Sequence, residues 1–562
     1  MEVLSGWISR MFYDRTATPP IQLQRPNEYQ ADHGSLNLSS SKAVDSSLDH
    51  PPAFKKFREC SDYSFRRSVS ELKLEERDLT RMTAKELAKV KKFLHQGSVD
   101  YQNYDQIQEV CAPLELTNEQ LRRVMELFLR QMEAGLSTEG SSVRMLPSFV
   151  RSVPNGTEKG NFLALDLGGT NFRVLLIRLD GKQAEMKSTI YRIPHELMIG
   201  TGQMLFDHIA VCLKKFMADE GLAGGKLPLG FTFSFPCKQE GLTTGKLISW
   251  TKGFKASGVE GEDVVTLLRQ ACHRIEVDID VVALLNDTTG TLMACAHKEN
   301  SCNVGVIVGT GTNACYMEKI RNCPKLQGEV DPDDGGPDEI IINTEWGAFG
   351  DDGCLNFLLT DFDRDVDHNS INPGKQLFEK MISGMYMGEL VRLVLSCLCK
   401  KGLVFGGHGS DRLFQRGTFP TKFVSEIESD LLEEDRTFSK TFDILEDLGL
   451  EQISPADCAN VAYVCSLVSQ RAANLCAAGL AVLLQRMRKA TLVTVGVDGS
   501  VYRFHPTFKT LLEERISALL DPSLGLKFQL MLSEDGSGKG AALVAAVACR
   551  IQEEQAKKRK SS

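Results

Sequence analysis

Along this chain the spacing of apolar residues changes from helical to strand-like and back. Leu121, Val124, Met125 and Phe128 fall at helical spacing behind a capping box of Thr117 and Gln120, which predicts a helix start. A similar box, Thr83 with Glu86, precedes Leu87, Val90 and Phe93 and predicts where order begins. Upstream, residues 13–78 are rich in Ser, Pro, Asp and Arg without sustained periodicity, which predicts disorder. From about residue 160 short apolar runs take over. FLALDL, RVLLIRL, LPLGFTFSF, DVVALLN, NVGVIVG and NACYMEK read as strands. Helical patterns cover 261–274, 375–400 and 457–488. TLVTVGVDGS and KFQLMLSEDGSGKG follow, then a final apolar helix, AALVAAVACRIQEE, and a basic tail at 556–562. Strands interleaved with helices in this way predict an α/β fold.

One pattern occurs twice. Residues 163–173 read LALDLGGTNFR and residues 305–316 read GVIVGTGTNACY. Each passes from a strand-like run through a Gly/Thr turn into a second apolar run, and the first reads as a hairpin rather than a βαβ crossover. A turn without bulky side chains lets backbone N–H groups approach an anion. Two such turns suggest two lobes that clasp a nucleotide. Asp498, Gly499 and Ser500 offer a third Gly/Ser turn, and 535–539 a fourth. The stretch SEDGSGKG is not a P-loop, since Ser533 and Gly540 stand where that motif needs Gly and Ser or Thr.

Composition narrows the picture. A length of 562 residues predicts two to four domains. Apolar residues at 42% and charged residues at 25% fit a soluble globular protein. A net charge of −9 argues against a nucleic-acid partner. The 16 Cys include no CxxC pair and no zinc spacing, and read as reduced thiols in a cytoplasmic protein. No apolar run predicts a membrane span. The first 12 residues lack the cleavable apolar core of a signal peptide. Leu4, Trp7, Ile8, Met11 and Phe12 share one helical face, which suits either a short membrane or mitochondrial anchor or a frayed tail.

Polar groups at strand ends supply candidate chemistry. Ser234 follows LGFTF, and Asn286 and Asp287 end DVVALL. A carboxylate after so apolar a strand is costly without work or partners. Asp287 reads as a catalytic base or as the N-cap of a following helix. Thr251 and Lys252 lie in WTKGF, and Glu345 in EWGAFGD. Glu379 opens a helix, where a carboxylate also suits the dipole. Amide and carboxylate acceptors of this kind match the hydroxyl donors of a sugar. Asp166, beside the first turn, suits a Mg²⁺ ion held through water.

These strings, with SWTKGFKASG, NDTTGT, NTEWGAFGDDG, SINPGKQLFEKMISGMY and VTVGVDGSVYRFHP, resemble the eukaryotic hexokinases in family order over about 80–555. The likeness is to a vertebrate-type single catalytic unit, as in glucokinase or the C-terminal half of the double-length enzymes. It implies a duplicated ribonuclease-H-like fold, shared with actin and Hsp70, with two lobes about a cleft. The expected division is a small-lobe region over 79–286 and a large-lobe region over 287–555, with segments exchanged. The resemblance implies ATP-dependent phosphorylation of the 6-hydroxyl of glucose and other hexoses by a monomer using Mg-ATP. Asp287 is the implied general base, with Lys252 beside it. Ser234, Phe235, Thr251, Lys252, Asn286, Asn313, Glu345, Gln376 and Glu379 are the implied sugar contacts. Asp166, Leu167, Gly168, Gly169, Thr170, Asn171, Thr310, Gly384 and Met385 are implied at the nucleotide. So are Thr421, Lys422, Phe423, Val424 and Ser425, and Ser500, Val501, Tyr502, Arg503 and Phe504. Asp498, Gly499, Ser500 and Ser533 are implied holders of an inhibitory product phosphate. A catalytically silent sugar sensor and an actin- or Hsp70-like ATPase are the rival readings. Asp287 and Lys252 favour the enzyme over the first, and the sugar-site strings weigh against the second.

Overall fold

The computed structural model describes residues 103–561, except 139, 169–170, 223–224, 251–252, 331–335 and 434–436. All of these belong to the second of two compact units, Leu74–Ser562. The readings of residues 1–12 and 13–78 and of the Thr83 box therefore fall outside the described residues. So do Gly169, Thr170, Thr251, Lys252 and most of the acidic loop 331–339.

Thirteen strands are described: β1 Leu146–Pro147, β2 Lys159–Leu167, β3 Asn171–Asp180, β4 Gln183–Arg192, β5 Leu227–Phe233, β6 Cys237–Gly241, β7 Thr244–Leu247, β8 Ile279–Leu285, β9 Cys302–Val308, β10 Thr312–Lys319, β11 Glu339–Asn343, β12 Val493–Asp498 and β13 Phe528–Leu532. One sheet has the order β4-β3-β2-β5-β8 and another β1-β11-β10-β9-β12-β13, while β6 and β7 form a small hairpin. The two large sheets repeat one plan. In each, three antiparallel strands are followed by two that lie parallel to the first of them. The Gly/Thr turns join β2 to β3 and β9 to β10, at equivalent places. The duplication read from the two strings is thus a duplication of whole sheets.

Segments cross between the sheets. The helix Asp287–Lys298 leads from β8 into β9. The C-terminal helix Gly536–Ser561 packs so closely that a Cβ on Gly540 would lie 2.1 Å from Gly290 O, and one on Gly230 would lie 2.0 Å from Ala541 O. β1, from the N-terminal part of the chain, pairs with β11 of the second sheet.

Local signals explain the boundaries. Thr117 and Gln120 form the predicted capping box of the helix Asn118–Ser137. The helix predicted over 261–274 starts later, at Val264, because the Asp263 side chain caps it. The helix predicted over 375–400 is two, Leu377–Ile382 and Gly384–Lys400. Ser383 is extended between them, and Gly384 N donates to Gly309 O at 2.8 Å rather than continuing the first helix. Pro455–Met487 is long and apolar enough to cross a membrane, yet 94% of its apolar window is buried inside the protein. It is a core helix, and its Arg471 is fully buried in a two-bond pair with Asp363 at 2.7 and 2.8 Å.

Candidate active site

The first group of polar residues gathers around β10. Asn313 Nδ2 donates to Asn343 Oδ1 at 2.8 Å and to Glu345 Oε1 at 3.1 Å. Asn343 Nδ2 donates to the same Glu345 oxygen at 2.8 Å. Glu345 has φ 51° and Gln376 φ 60°, a left-handed conformation that costs a non-glycine residue about 1–3 kcal/mol. Neither is held there by local sequence. Tertiary contacts hold them, with Trp346 fully buried and its Nε1 donating to Thr312 Oγ1 at 3.2 Å. Glu379 Oε2 accepts Thr312 N at 2.9 Å, and a Cβ on Gly311 would lie 2.5 Å from that oxygen. A side chain at Gly311 would therefore displace the Glu379 carboxylate.

Asp287 enters from the other sheet. β8 is apolar and buried, and Asp287 is the first residue of the helix that follows. The N-cap is Asn286, whose Oδ1 accepts Thr288 N at 2.9 Å and Thr288 Oγ1 at 2.8 Å. The N-cap alternative for Asp287 is thereby corrected: its neighbour does the capping, and Asp287 stays half-buried. A Cβ on Gly305 of β9 would lie 2.3 Å from Thr288 O, so this helix start is fitted against the second sheet. Ser234 N donates to Leu167 O at 3.0 Å, which sets Ser234 beside the first Gly/Thr turn. Phe235 is buried in a ring cluster, 4.9 Å from Trp250 and 5.1 Å from Phe254. Trp250 Nε1 also donates to Ala256 O at 2.8 Å. These contacts anchor both sides of the segment that carries Thr251 and Lys252. Burial, reinforced by Glu345, pushes the nearby Cys237 thiol up to about 12.

The second group surrounds the Gly/Thr turns. Gly384 N and Met385 N donate to Gly309 O and Thr310 O at 2.8 and 3.2 Å. Thr421 Oγ1 donates to Gly384 O at 2.6 Å and accepts Gly388 N at 3.0 Å, tying in the helix Thr421–Asp430. Gly499 has φ 112°, and a Cβ there would lie 2.4 Å from Val308 backbone. Only glycine fits so close a meeting of two turns. Asp498 accepts Gly499 N at 2.7 Å and Gly536 N at 3.0 Å. Asp166 Oδ2 accepts Arg173 at 2.9 Å and Ser537 Oγ at 2.7 Å, and Arg173 reaches Asp535 at 2.6 Å. Burial alone would lower the Arg173 pKa, but these two carboxylates hold it above its usual value. Asp166, Asp498, Gly309, Gly384 and Thr421 thus form one connected wall.

Not every predicted residue faces that wall. Val424, Val501 and Tyr502 are buried and support it from behind, whereas Lys422, Arg503 and Phe504 are exposed. Ser533 is 1% exposed, and its Oγ lies 2.7 Å from where a Gly536 Cβ would be. That places its hydroxyl under the turn rather than at a surface where a phosphate docks. Asn343 and Asp351 are among the polar residues that the sequence did not single out, as are Thr312, Arg173 and Ser537. Asn343 is the last residue of a strand and Asp351 follows a Gly-rich turn, so neither breaks its local pattern.

The donor set fits a nucleotide with a divalent ion. Among the described residues no group of three or more His, Cys, Asp or Glu makes a metal cage. Two separate carboxylates, Asp166 and Asp498, adjoin Gly-containing turns, and beside Asp498 a Cβ on Gly499 would lie 2.4 Å from Val308 backbone. This matches an ion completed by phosphate oxygens and water.

Two sequence models, both described as Hexokinase, match residues 106–297 and 303–547. Hexokinase-2 of Equus caballus is 52% identical over 457 residues, 79% of this chain and 48% of the relative. Hexokinase-3 of Homo sapiens is 52% identical over 451 residues, 79% of this chain and 47% of the relative. The chain spans about half the length of these curated relatives. A solved hexokinase from Schistosoma mansoni, complexed with glucose, superposes with a TM-score of 0.72 at 42% identity, over 80% of this chain and all of that one. A second solved hexokinase gives 0.69 at 33% identity, covering 79% of this chain and 99% of the other.

Proposed function

The chain belongs to the hexokinase family, and on that premise we propose that it transfers the γ-phosphoryl group of ATP to the 6-hydroxyl of glucose and related hexoses. The observation that carries the reading is the double attachment of the turn 309–313. On one side Glu379 accepts Thr312 N and Asn313 joins Glu345. On the other side Gly309 O and Thr310 O accept the first N–H groups of the helix Gly384–Lys400. A sugar held by the carboxylates and a nucleotide held beside the Gly/Thr turns would meet across five residues.

In this reading Ser234, Asn286, Asn313, Glu345, Gln376 and Glu379 accept and donate to the sugar hydroxyls. Phe235 walls the site. The Asp287 carboxylate takes the proton from the 6-hydroxyl as that oxygen bonds to the γ-phosphorus and the bond to ADP breaks. Thr251 and Lys252 join the site on the strength of their sequence position between Trp250 and Phe254. Asp166 and Asp498 would hold a Mg²⁺ ion bound with ATP, directly or through water, and that ion would supply neutralisation of the charge on the transferring phosphates. Most of the catalysis is positioning and charge stabilisation. Product inhibition follows from the same wall: the turn 498–500 would take the phosphate of glucose 6-phosphate in competition with ATP. A rate unchanged by micromolar product would remove that part. The 15 described cysteines are free thiols, which supports a cytoplasmic setting. Purified chain with Mg-ATP and glucose, assayed for glucose 6-phosphate, tests the main reading.

A further inference from the structure

Asp351 has no part in the chemistry above, yet the sugar site hangs on it. It ends the turn that starts at Trp346, in which Trp346 and Phe349 are fully buried. Its Oδ2 accepts Gln376 N and its Oδ1 accepts Leu377 N, each at 3.0 Å. These are donors that a helix start leaves without internal partners. The helix they open, Leu377–Ile382, has Gln376 at its N-cap, and the Gln376 side chain makes no capping bond. With Asp351 capping from a distance, that side chain is released toward Gly347. There its Oε1 lies 2.2 Å from the point a Cβ would occupy. One turn on, Glu379 reaches Thr312 N and Gly311. Burial raises the Asp351 carboxyl above its usual range, while the two backbone N–H groups, Lys375 and Lys380 oppose that rise.

We propose that Asp351 is a positioning residue for hexose recognition: it caps the helix in place of Gln376 and so aims Gln376 and Glu379 together at the sugar. The proposal rests on the sugar-site reading given above. Steady-state kinetics of the full chain test it. Asp351→Ala is expected to raise the glucose KM by about tenfold or more, because two backbone donors lose their acceptor. The ATP KM should stay within about twofold, since the nucleotide wall is built elsewhere. Asp351→Asn keeps one acceptor oxygen and should fall between. Gly347→Ala leaves both Asp351 bonds in place but displaces Gln376 Oε1, and should raise the glucose KM alone.

An Asp351→Ala protein with unchanged glucose KM overturns the proposal. So does one in which both KM values rise together. If that variant does not fold, Asp351→Asn decides on the same terms, while Gly347→Ala reports only on the placement of Gln376. Gln376→Ala and Glu379→Ala keep the two readings apart. If neither changes the glucose KM, the sugar-site reading fails. If both raise it while the Asp351 and Gly347 variants do not, only the positioning role fails.

Discussion

Asp287 stands where an apolar strand ends and a helix begins, and Asn286 does the capping there. Asp287→Asn is expected to lower kcat by about 10²–10⁴-fold, the usual worth of a general base, with the glucose KM little changed. Asn343→Ala removes a donor from Glu345, and the loss of such a bond to a charged group is worth about 1.5–3 kcal/mol. The glucose KM should rise accordingly, by a factor read from the same assay. The sequence made Asp287 and Glu345 legible because each is a charge in an apolar or Gly-rich setting. It hid Asn343, because a strand-terminal Asn looks like any strand end. It also hid the left-handed backbone at Glu345 and Gln376, which tertiary contacts impose. The thiols give a pH prediction. Burial pushes Cys111, Cys237, Cys272, Cys315 and Cys476 up to about 12. A raised folded pKa gives stability that is full below the unfolded thiol value, about 8.5, and is lost as pH rises above it. Denaturant midpoints should therefore fall between about pH 9 and 12, and iodoacetamide at neutral pH should label the four buried thiols, Cys111, Cys272, Cys315 and Cys476, only after unfolding.

At the scale of elements, most of the strands with longer apolar runs were readable, whereas the five-residue β11 was not. β2, β3, β5, β8, β9 and β10 begin and end within a few residues of their strings. β4, QAEMKSTIYR, is an edge strand exposed along nearly its whole length, so it carries no apolar signature. The break at Ser383 was invisible for a different reason, since its cause is a hydrogen bond from Gly384 to a turn 75 residues earlier in the chain. The crossing of the helices Asp287–Lys298 and Gly536–Ser561 is likewise long-range. Gly540 lies there with its missing Cβ 2.1 Å from Gly290 O. Gly540→Val must push the helices apart, and overpacking of this kind costs about 1–3 kcal/mol. Chemical denaturation should show that loss. Because the helix bearing Asp287 shifts with it, kcat should fall as well.

At the scale of the whole molecule, one sheet plan occurs twice and the two copies have diverged in use. The end of β2, beside its turn, contributes Asp166 to the connected wall through Arg173 and Ser537. The turn after β9 is bound on both faces, by Glu379 and by the start of the helix Gly384–Lys400. Phosphoryl transfer requires the acceptor hydroxyl and the γ-phosphate to be presented together, and a shared turn is a direct way to do so. The most direct test mixes purified chain with Mg-ATP and glucose and follows glucose 6-phosphate and ADP. Equal formation of the two products, abolished or reduced by about 10²-fold or more in Asp287→Asn with glucose binding retained, is the predicted result. A chain that binds both ligands and forms no glucose 6-phosphate would contradict it and leave a sugar sensor in its place.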